Sequence, residues 1–430
     1  MELTEFDCRQ FISILEEELV PALGCTEPIA IAYAGAHARA LLGKLPERVC
    51  IKSSGNIIKN VKSVIVPNSG NMKGIPAATA IGIIGGNPDK GLETLADITD
   101  EDIVRAKEFL QTIPFKVSLL ETTAPLHFIV EVFAGEENAS VEIIHQHTNI
   151  VHTTKNGKDI LSVPFDPNSA NAALTDRSSL SVKKILAFAG MIDLERVRRI
   201  LERQIEYNTR ISREGLEHPY GINAGANLME AAKEAQAVTF KIRAQAAAAA
   251  GSDARMSGCT LPVVTNSGSG NQGLTVSLPV IVFAEEKKLS HEQLLRGLLV
   301  GNLSAIHQKT RIGRLSAYCG AVSAACGSGA AITYLSGGSY EQICKTITNT
   351  LAVVSGIVCD GAKPSCASKI ATAVDAAINA HNLAMKNKAF QAGDGIVKDD
   401  IEKTIAGVGS IAADGMRETD KVILKIMVED

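Results

Sequence analysis

The 430-residue chain has no tryptophan, and aromatic residues make up only 4% of it, while glycine occurs 36 times. Contacts between its elements therefore rest on small residues and close backbone approach rather than on large rings. No lysine- and arginine-rich stripe stands out, which removes the electrostatic footprint of a nucleic-acid partner. No apolar run is long enough to cross a bilayer; even "GLTVSLPVIVFA" falls short, so no membrane association is expected. The opening "MELTEFDCRQF" lacks a basic flank followed by an apolar stretch, so no secretory leader is expected and the cytoplasm is the default location. A repeat of fixed period is missing too.

What remains is a globular composition. Apolar residues reach 46% and the formal net charge is only −4, which does not fit a disordered chain. The length is too great for one ordinary core and suggests two or three domains.

Period and punctuation divide the chain. "TEFDCRQFISILEEELV" reads as an amphipathic helix, interrupted by "PALGCTEP". "IAIAYAGAHARALLG" follows as a second helix, with Pro28 suited to its first turn. "RVCIKSSGNIIKNVKSVIVPNSG" reads as two strands. A glycine-rich turn leads into a short helix within "NMKGIPAATAIGIIGG", and "TDEDIVRAKEFLQ" is a capped helix. Strands are expected in "KVSLLE", "LHFIVEVFAG", "ASVEIIHQHTNIVHTTKNGKDI" and "ILSVPF", with a hairpin turn at Asn156-Gly157. From about residue 177 the period is helical, with faces rich in Ala, Gly, Val and Ile that suit a bundle interior. The expected fold class is α+β. Residues 1–44 are N-terminal helices packing on the catalytic part, 45–165 an inserted α/β domain, and 166–430 a mainly helical catalytic domain.

The nine cysteines are Cys8, Cys25, Cys50, Cys259, Cys319, Cys326, Cys344, Cys359 and Cys366. An odd number in a large chain argues against a disulfide framework. Cys319 and Cys326 are seven apart within one apolar run, about 10.5 Å of helical rise, too far to grip one small cluster together. Cys326 reads as core. Cys359 and Cys366 have the same spacing, but Gly361 and Pro364 break any helix between them, so a loop can fold back and unite them. Cys25 precedes a helix, where a thiolate is favoured. Compact CxxC pairs are absent, and spacing alone leaves buried thiols, a reactive thiol and a metal site all open.

"LPVVTNSGSGNQG" contains GxGxxG at Gly268, Gly270 and Gly273, but the flanking strand and the acidic residue of a dinucleotide site are missing. Thr265, Asn266, Ser267, Ser269 and Asn271 instead suggest a nest for a small anion such as an amino-acid carboxylate, or else a capped turn. "VPNSGNMKG" is similar in composition: Asn68, Ser69 and Asn71 are substrate-binding candidates, and Lys73 could meet a carboxylate or simply be solvated. His145 and His147 are expected to share a strand face, as structural or rim residues. The general base is open among Cys25, Lys73, His307 and Lys309. Lys363 and Lys369 are chemically suited to a pyridoxal Schiff base but lack a signature around them.

"ALGCTEPIAIAYA", "NSGNMKGIPAATAIG", "SGCTLPVVTNSGSGNQG", "RLSAYCGAVSAACGSGAAI" and "GIVCDGAKPSCASKIATAV" together resemble the iron–sulfur L-serine dehydratase alpha-chain superfamily, and within it the L-cysteine desulfidase (UPF0597) branch. The likeness runs over essentially the whole chain. It implies a [4Fe–4S] cluster acting as a Lewis acid, held by three cysteines with one iron left open. Carried over residue by residue, Cys319, Cys359 and Cys366 are the ligand set, Cys25 a ligand or catalytic thiol, and residues 265–273, including Gly268 and Gly270, the grip on the substrate carboxylate. Cys25, from this likeness, and Lys73, from the residue reading above, are the catalytic candidates. The six-residue spacer between Cys359 and Cys366 is shorter than in the serine dehydratases proper. The implied reaction is β-elimination of L-cysteine to pyruvate, ammonia and sulfide. The alternatives are L-serine dehydration and a non-catalytic iron–sulfur binding or sensing protein. The expected partner is a small amino acid, and a homodimer is compatible with this organisation.

Overall fold

The computed structural model describes residues 3–62, 64–168 and 174–428. Helix α1 (Glu5–Glu18) opens with a capping box: the Asp7 N–H donates to the Thr4 hydroxyl at 3.1 Å, and the Thr4 N–H to the Asp7 carboxylate at 2.9 Å. Its apolar face, Phe11, Ile14 and Leu15, buries among the C-terminal helices. Strand β1 (Pro21–Leu23) pairs antiparallel with β8 (Pro262–Val264), tying the start of the chain to the loop that follows residue 264.

Helix α2 (Thr26–Leu42) behaves differently from the expectation for residues 1–44. It packs on the sheet and on α4 (Gly74–Gly85), so only α1 joins the helical part. The reason is one tertiary contact. A Cβ at Gly82 would overlap the Ala32 carbonyl, so these two helices touch backbone to backbone, an approach that only glycine permits.

The sheet has six strands in the order β3-β2-β4-β5-β6-β7. They are β2 (Arg48–Ser53), β3 (Phe115–Leu119), β4 (His127–Ala134), β5 (Glu137–Ile144), β6 (Ile150–Lys155) and β7 (Lys158–Ser162). Only the β2–β3 pair is parallel, and its crossover carries α3 (Gly55–Val61), α4 and α5 (Asp100–Thr112). Phe128, Val130 and Val132 alternate onto the helix-covered face, as a sheet with one wetter side requires. Asn156 and Gly157, with φ of 51° and 75°, make the expected hairpin turn between β6 and β7.

Two expectations fail here. The second strand read into residues 48–70 is helix α3, where Ile57 and Val61 bury one turn apart; the Ile-Ile pair carried strand propensity that this context overrides. His145 and His147 share no strand face either, since β5 ends at Ile144 and His145 takes a φ of 67° in the turn beyond it.

The rest is helical: α6 (Val182–Met191), α7 (Glu195–Glu217), α8 (Ala224–Glu234), α9 (Phe240–Met256), α10 (Gly270–Lys287), α11 (His291–Ile312), α12 (Ala321–Leu335), α13 (Tyr340–Val353), α14 (Cys366–Met385), α15 (Ile401–Ser410) and α16 (Arg417–Val428). Helices α8 and α9 are separated at Gln236, which has a φ of 51°. Helices α9, α10, α12 and α14 pack through Ala and Gly faces. Helix α16 returns to the sheet part, where Asp420 pairs with Lys59 and Asn56 of α3. The α+β class with a mainly helical C-terminal part is what the chain adopts. Among the described residues no helix is long and apolar enough to cross a membrane.

Replacing Gly82 by Ala should force α2 and α4 apart and cost about 1–3 kcal/mol of stability. Urea unfolding of the variant beside the parent chain measures it, and an unchanged midpoint would count against this close contact.

Candidate metal centre and active site

Three thiols meet because two loops pair with each other. After α11 the chain turns at Gly313, which has a φ of 91°, and runs to Cys319. The Cys319 N–H donates to Ile357 O at 2.7 Å, and the Cys359 N–H donates to Ala317 O at 2.7 Å. This one-residue antiparallel bridge, Tyr318 to Val358, sets Cys319 beside Cys359 across forty residues of sequence. Gly356 leaves room for the Tyr318 ring that covers the bridge. Gly361, with a φ of 95°, then doubles the chain back so that Cys366 opens α14 facing the same cavity. Cys326 lies in α12 with its sulfur toward Ile347 O, buried in the bundle core as expected.

The side chains of Cys319 and Cys359 hydrogen-bond to each other. The bond from Cys319 pulls the Cys359 thiol down to about 6, helped by the Gly361 N–H and by Lys59 and Lys309, against burial. Cys319 moves well up in exchange. Burial raises Cys366 and pushes Lys309 down to about 8. One thiolate with cations facing it is the state a metal ligand needs. Among the described residues no three His, Cys, Asp or Glu side chains stand close enough to hold a single ion. Cys319, Cys359 and Cys366 line one cavity, and cysteine thiolates are the ligands of iron–sulfur clusters, so this donor set fits such a cluster.

The opposite wall is polar and buried. Cys25 caps α2, and its thiol donates to Glu27 Oε2 at 3.0 Å. Burial and Glu27 together push this thiol well up, so it stays protonated. Asn60 of α3 donates to Glu27 Oε1 at 3.0 Å, and Thr26 Oγ1 lies 3.1 Å from Glu27 Oε2 and 3.2 Å from Gly268 O. His147 reaches in from the β5–β6 turn and ends beside Gly268. Its Nε2 is buried without a partner. Arg314 enters on an ion pair with Glu18, 2.8 Å away, which also holds Arg177 at 2.6 Å. Arg255 completes the cavity, whose volume is about 100 Å3.

The glycine loop divides by role. Ser267, Gly268, Ser269 and Asn271 line the cavity. Thr265 and Asn266 serve the scaffold instead: the Thr265 hydroxyl donates to Glu18 O at 2.8 Å, and the Asn266 amide to Asn302 Oδ1 at 3.0 Å. Gly270 starts α10 where a Cβ would overlap Arg255 Nε. Asn68, Ser69 and Asn71 are not brought here; they line a separate cavity with Gly258 and Thr260. Lys73 is exposed at the start of α4, outside both cavities. His307 is spent on Glu402, 2.5 Å away, and Lys369 on Asp360. A wider cavity of about 740 Å3 lies between α7 and α10–α11, but it brings together only one thiol, Cys259, and no part of the glycine loop.

Glu27, Asn60 and Arg255 were not singled out as site residues from the sequence, and His147 was read as a structural or rim residue on a strand. The signal for Arg255 was there: a single arginine closing the alanine-rich run of α9. For His147 it was not, because its turn was read as strand.

Burial drives the His147 pKa down to about 4, with Glu27 opposing and the arginines adding. An unfolded histidine takes its proton near pH 6.5. Between about pH 6.5 and 4 the unfolded chain therefore binds more protons, and stability falls as pH falls. His147→Gln should flatten that slope in urea titrations at pH 7 and pH 5. A slope unchanged from the parent would show that His147 is not held neutral.

Residues 89–425, more than half of the chain, match the family described as serine dehydratase alpha chain. A UPF0597 protein of Treponema denticola is 56% identical over 431 residues, covering the whole of both chains. Another, from Lachnoclostridium phytofermentans, is 55% identical over 98% of this chain and 99% of its own. A third, from Desulfitobacterium hafniense, is 50% identical over 100% of this chain and 98% of its own. With the three gathered thiols and the glycine loop on one cavity, these matches place the chain in the UPF0597 family, within the serine dehydratase alpha-chain superfamily.

Proposed function

We propose that the chain is an iron–sulfur-dependent lyase that eliminates sulfide from L-cysteine. Elimination removes the α-proton and the β-thiol to give aminoacrylate, and water then converts this to pyruvate and ammonia. The observation that carries the reading is the sharing of one buried cavity by Cys319, Cys359 and Cys366 with Cys25, Glu27, His147 and the start of α10. The nine cysteines are all free of disulfides, which suits a reducing compartment such as the cytoplasm.

Cys319, Cys359 and Cys366 would hold the cluster, which when bound supplies Lewis acidity toward the substrate's leaving group. The chain's own groups do the rest. The N–H groups opening α10 have no side-chain cap and face a carboxylate bound against Ser267–Asn271. His147 Nε2, neutral and unpartnered, accepts the α-proton. Glu27, nearby and negative, stabilises the imidazolium that forms. The protonated Cys25 thiol stands ready as a proton donor on the same wall. Lys73 is too exposed to take part. L-Serine is the second reading, favoured by the description of the matching family.

Anaerobically prepared protein should hold about four irons per chain, and Cys359→Ser should lose most of them while staying folded. L-Cysteine should yield pyruvate and sulfide in equal amounts. Pyruvate from L-serine alone would move the assignment to the second reading, and none from either would defeat both. His147→Gln should keep its iron and lose about 10²–10⁴-fold in kcat. Full activity in that variant would remove His147 as the base.

A further inference from the structure

Arg255 is only 3% exposed, yet among the described residues no carboxylate oxygen comes within ion-pair distance of it. Its Nε has no hydrogen-bond partner, and its Nη1 has only the Met256 sulfur, 3.8 Å away. Other buried and half-buried cations are treated differently. Arg177 and Arg314 share Glu18, Lys59 has Asp420, and Lys184 has Asp7. Lys309 also lacks an ion pair, but an amine can escape the cost of burial by shedding its proton. A guanidinium cannot.

A buried charge of fixed sign that faces a cavity calls for an anion. The anion at hand does not serve: Glu27 already takes hydrogen bonds from the Cys25 thiol and the Asn60 amide. A second positive feature points to the same spot. Helix α10 begins at Gly270 with no side-chain cap on its N–H groups, and Gly270 is where a Cβ would overlap Arg255 Nε. The guanidinium and the open end of an eighteen-residue helix therefore flank one small space. Close by, Asn271 Oδ1 and Gln272 Oε1 are buried without donors, which suits a ligand that also carries an ammonium group.

We propose that Arg255 is the specificity residue that receives the substrate's α-carboxylate, in a cradle completed by the free N–H groups at the start of α10. The inference rests on the amino-acid reading of this same site and adds to it the group that sorts α-amino acids from simple thiols. Arginine suits the task, because its planar fork can take both carboxylate oxygens at once.

The test uses anaerobically purified, iron-loaded protein and calorimetric titration with two probes. One is 3-mercaptopropionate, which keeps the thiol and carboxylate. The other is cysteamine, which keeps the thiol and amine and lacks the carboxylate. The parent chain should bind 3-mercaptopropionate more tightly than cysteamine. Arg255→Gln should weaken 3-mercaptopropionate by about 30-fold or more and leave cysteamine unchanged, with Arg255→Lys recovering part of the loss. In turnover the loss should appear in KM for L-cysteine. Should Arg255→Gln fold poorly, Gly270→Ala, which crowds the guanidinium, should show the same selective loss. Iron content should match the parent in each variant. Equal affinity of parent and Arg255→Gln for 3-mercaptopropionate would overturn the assignment. So would a parent chain that binds no carboxylate, or an Arg255→Gln variant whose main defect is lost iron, since the cation would then serve the thiolates. Arg255-dependent carboxylate binding without any pyruvate formation would instead sustain this inference and defeat the proposed reaction.

Discussion

Two backbone hydrogen bonds, between Cys319 and Ile357 and between Cys359 and Ala317, are the constraint on which the site turns. Without them the segment after α11 and the segment after α13 would be separate surface loops, and their sulfurs would have no reason to meet. Paired, they place two thiols side by side, let one hold the other's negative charge, and leave α14 to bring the third. Glycine makes the pairing affordable: Gly313 and Gly361 take positive φ, and Gly356 yields to a tyrosine ring.

Around this bridge the chain has assembled an uneven set of charges. The buried Lys59 and Arg177 are matched by carboxylates, while Arg255 and Lys309 form no ion pair. Of these two only Arg255 cannot shed its proton, and the carboxylate in its neighbourhood, Glu27, is already occupied by the Cys25 thiol and the Asn60 amide. Such an imbalance costs stability in the free protein and is returned when an anion enters, so tight packing and readiness to bind oppose each other here. His147 fits the same pattern, as a histidine kept neutral by burial with its acceptor nitrogen unused.

The sequence carried the period-two strands β4 to β7 and the Asn156-Gly157 turn openly, because alternation and positive-φ residues are local signals. It also carried the helical bundle, through its small-residue faces. Helix α3 was hidden by the Ile-Ile pair, since strand and helix compete there until packing decides. The swing of α2 to the sheet depends on Gly82 meeting Ala32, a contact between distant residues that no local pattern announces. Spacing alone could not unite the three thiols, and family likeness supplied the set. Likeness in composition does not carry position: the loop at 68–73 resembles the loop at 265–273, yet its residues 68–71 line a different cavity. Arg255, His147 and Glu27 come from three segments far apart in the chain, so their joint meaning exists only in three dimensions.

Helix α3 supplies Asn56, Lys59 and Asn60 to the cavity wall, and Asp420, more than 360 residues downstream, steadies the first two. That brace makes one wall of the cavity depend on α16, so a change in that helix reaches the site without touching it.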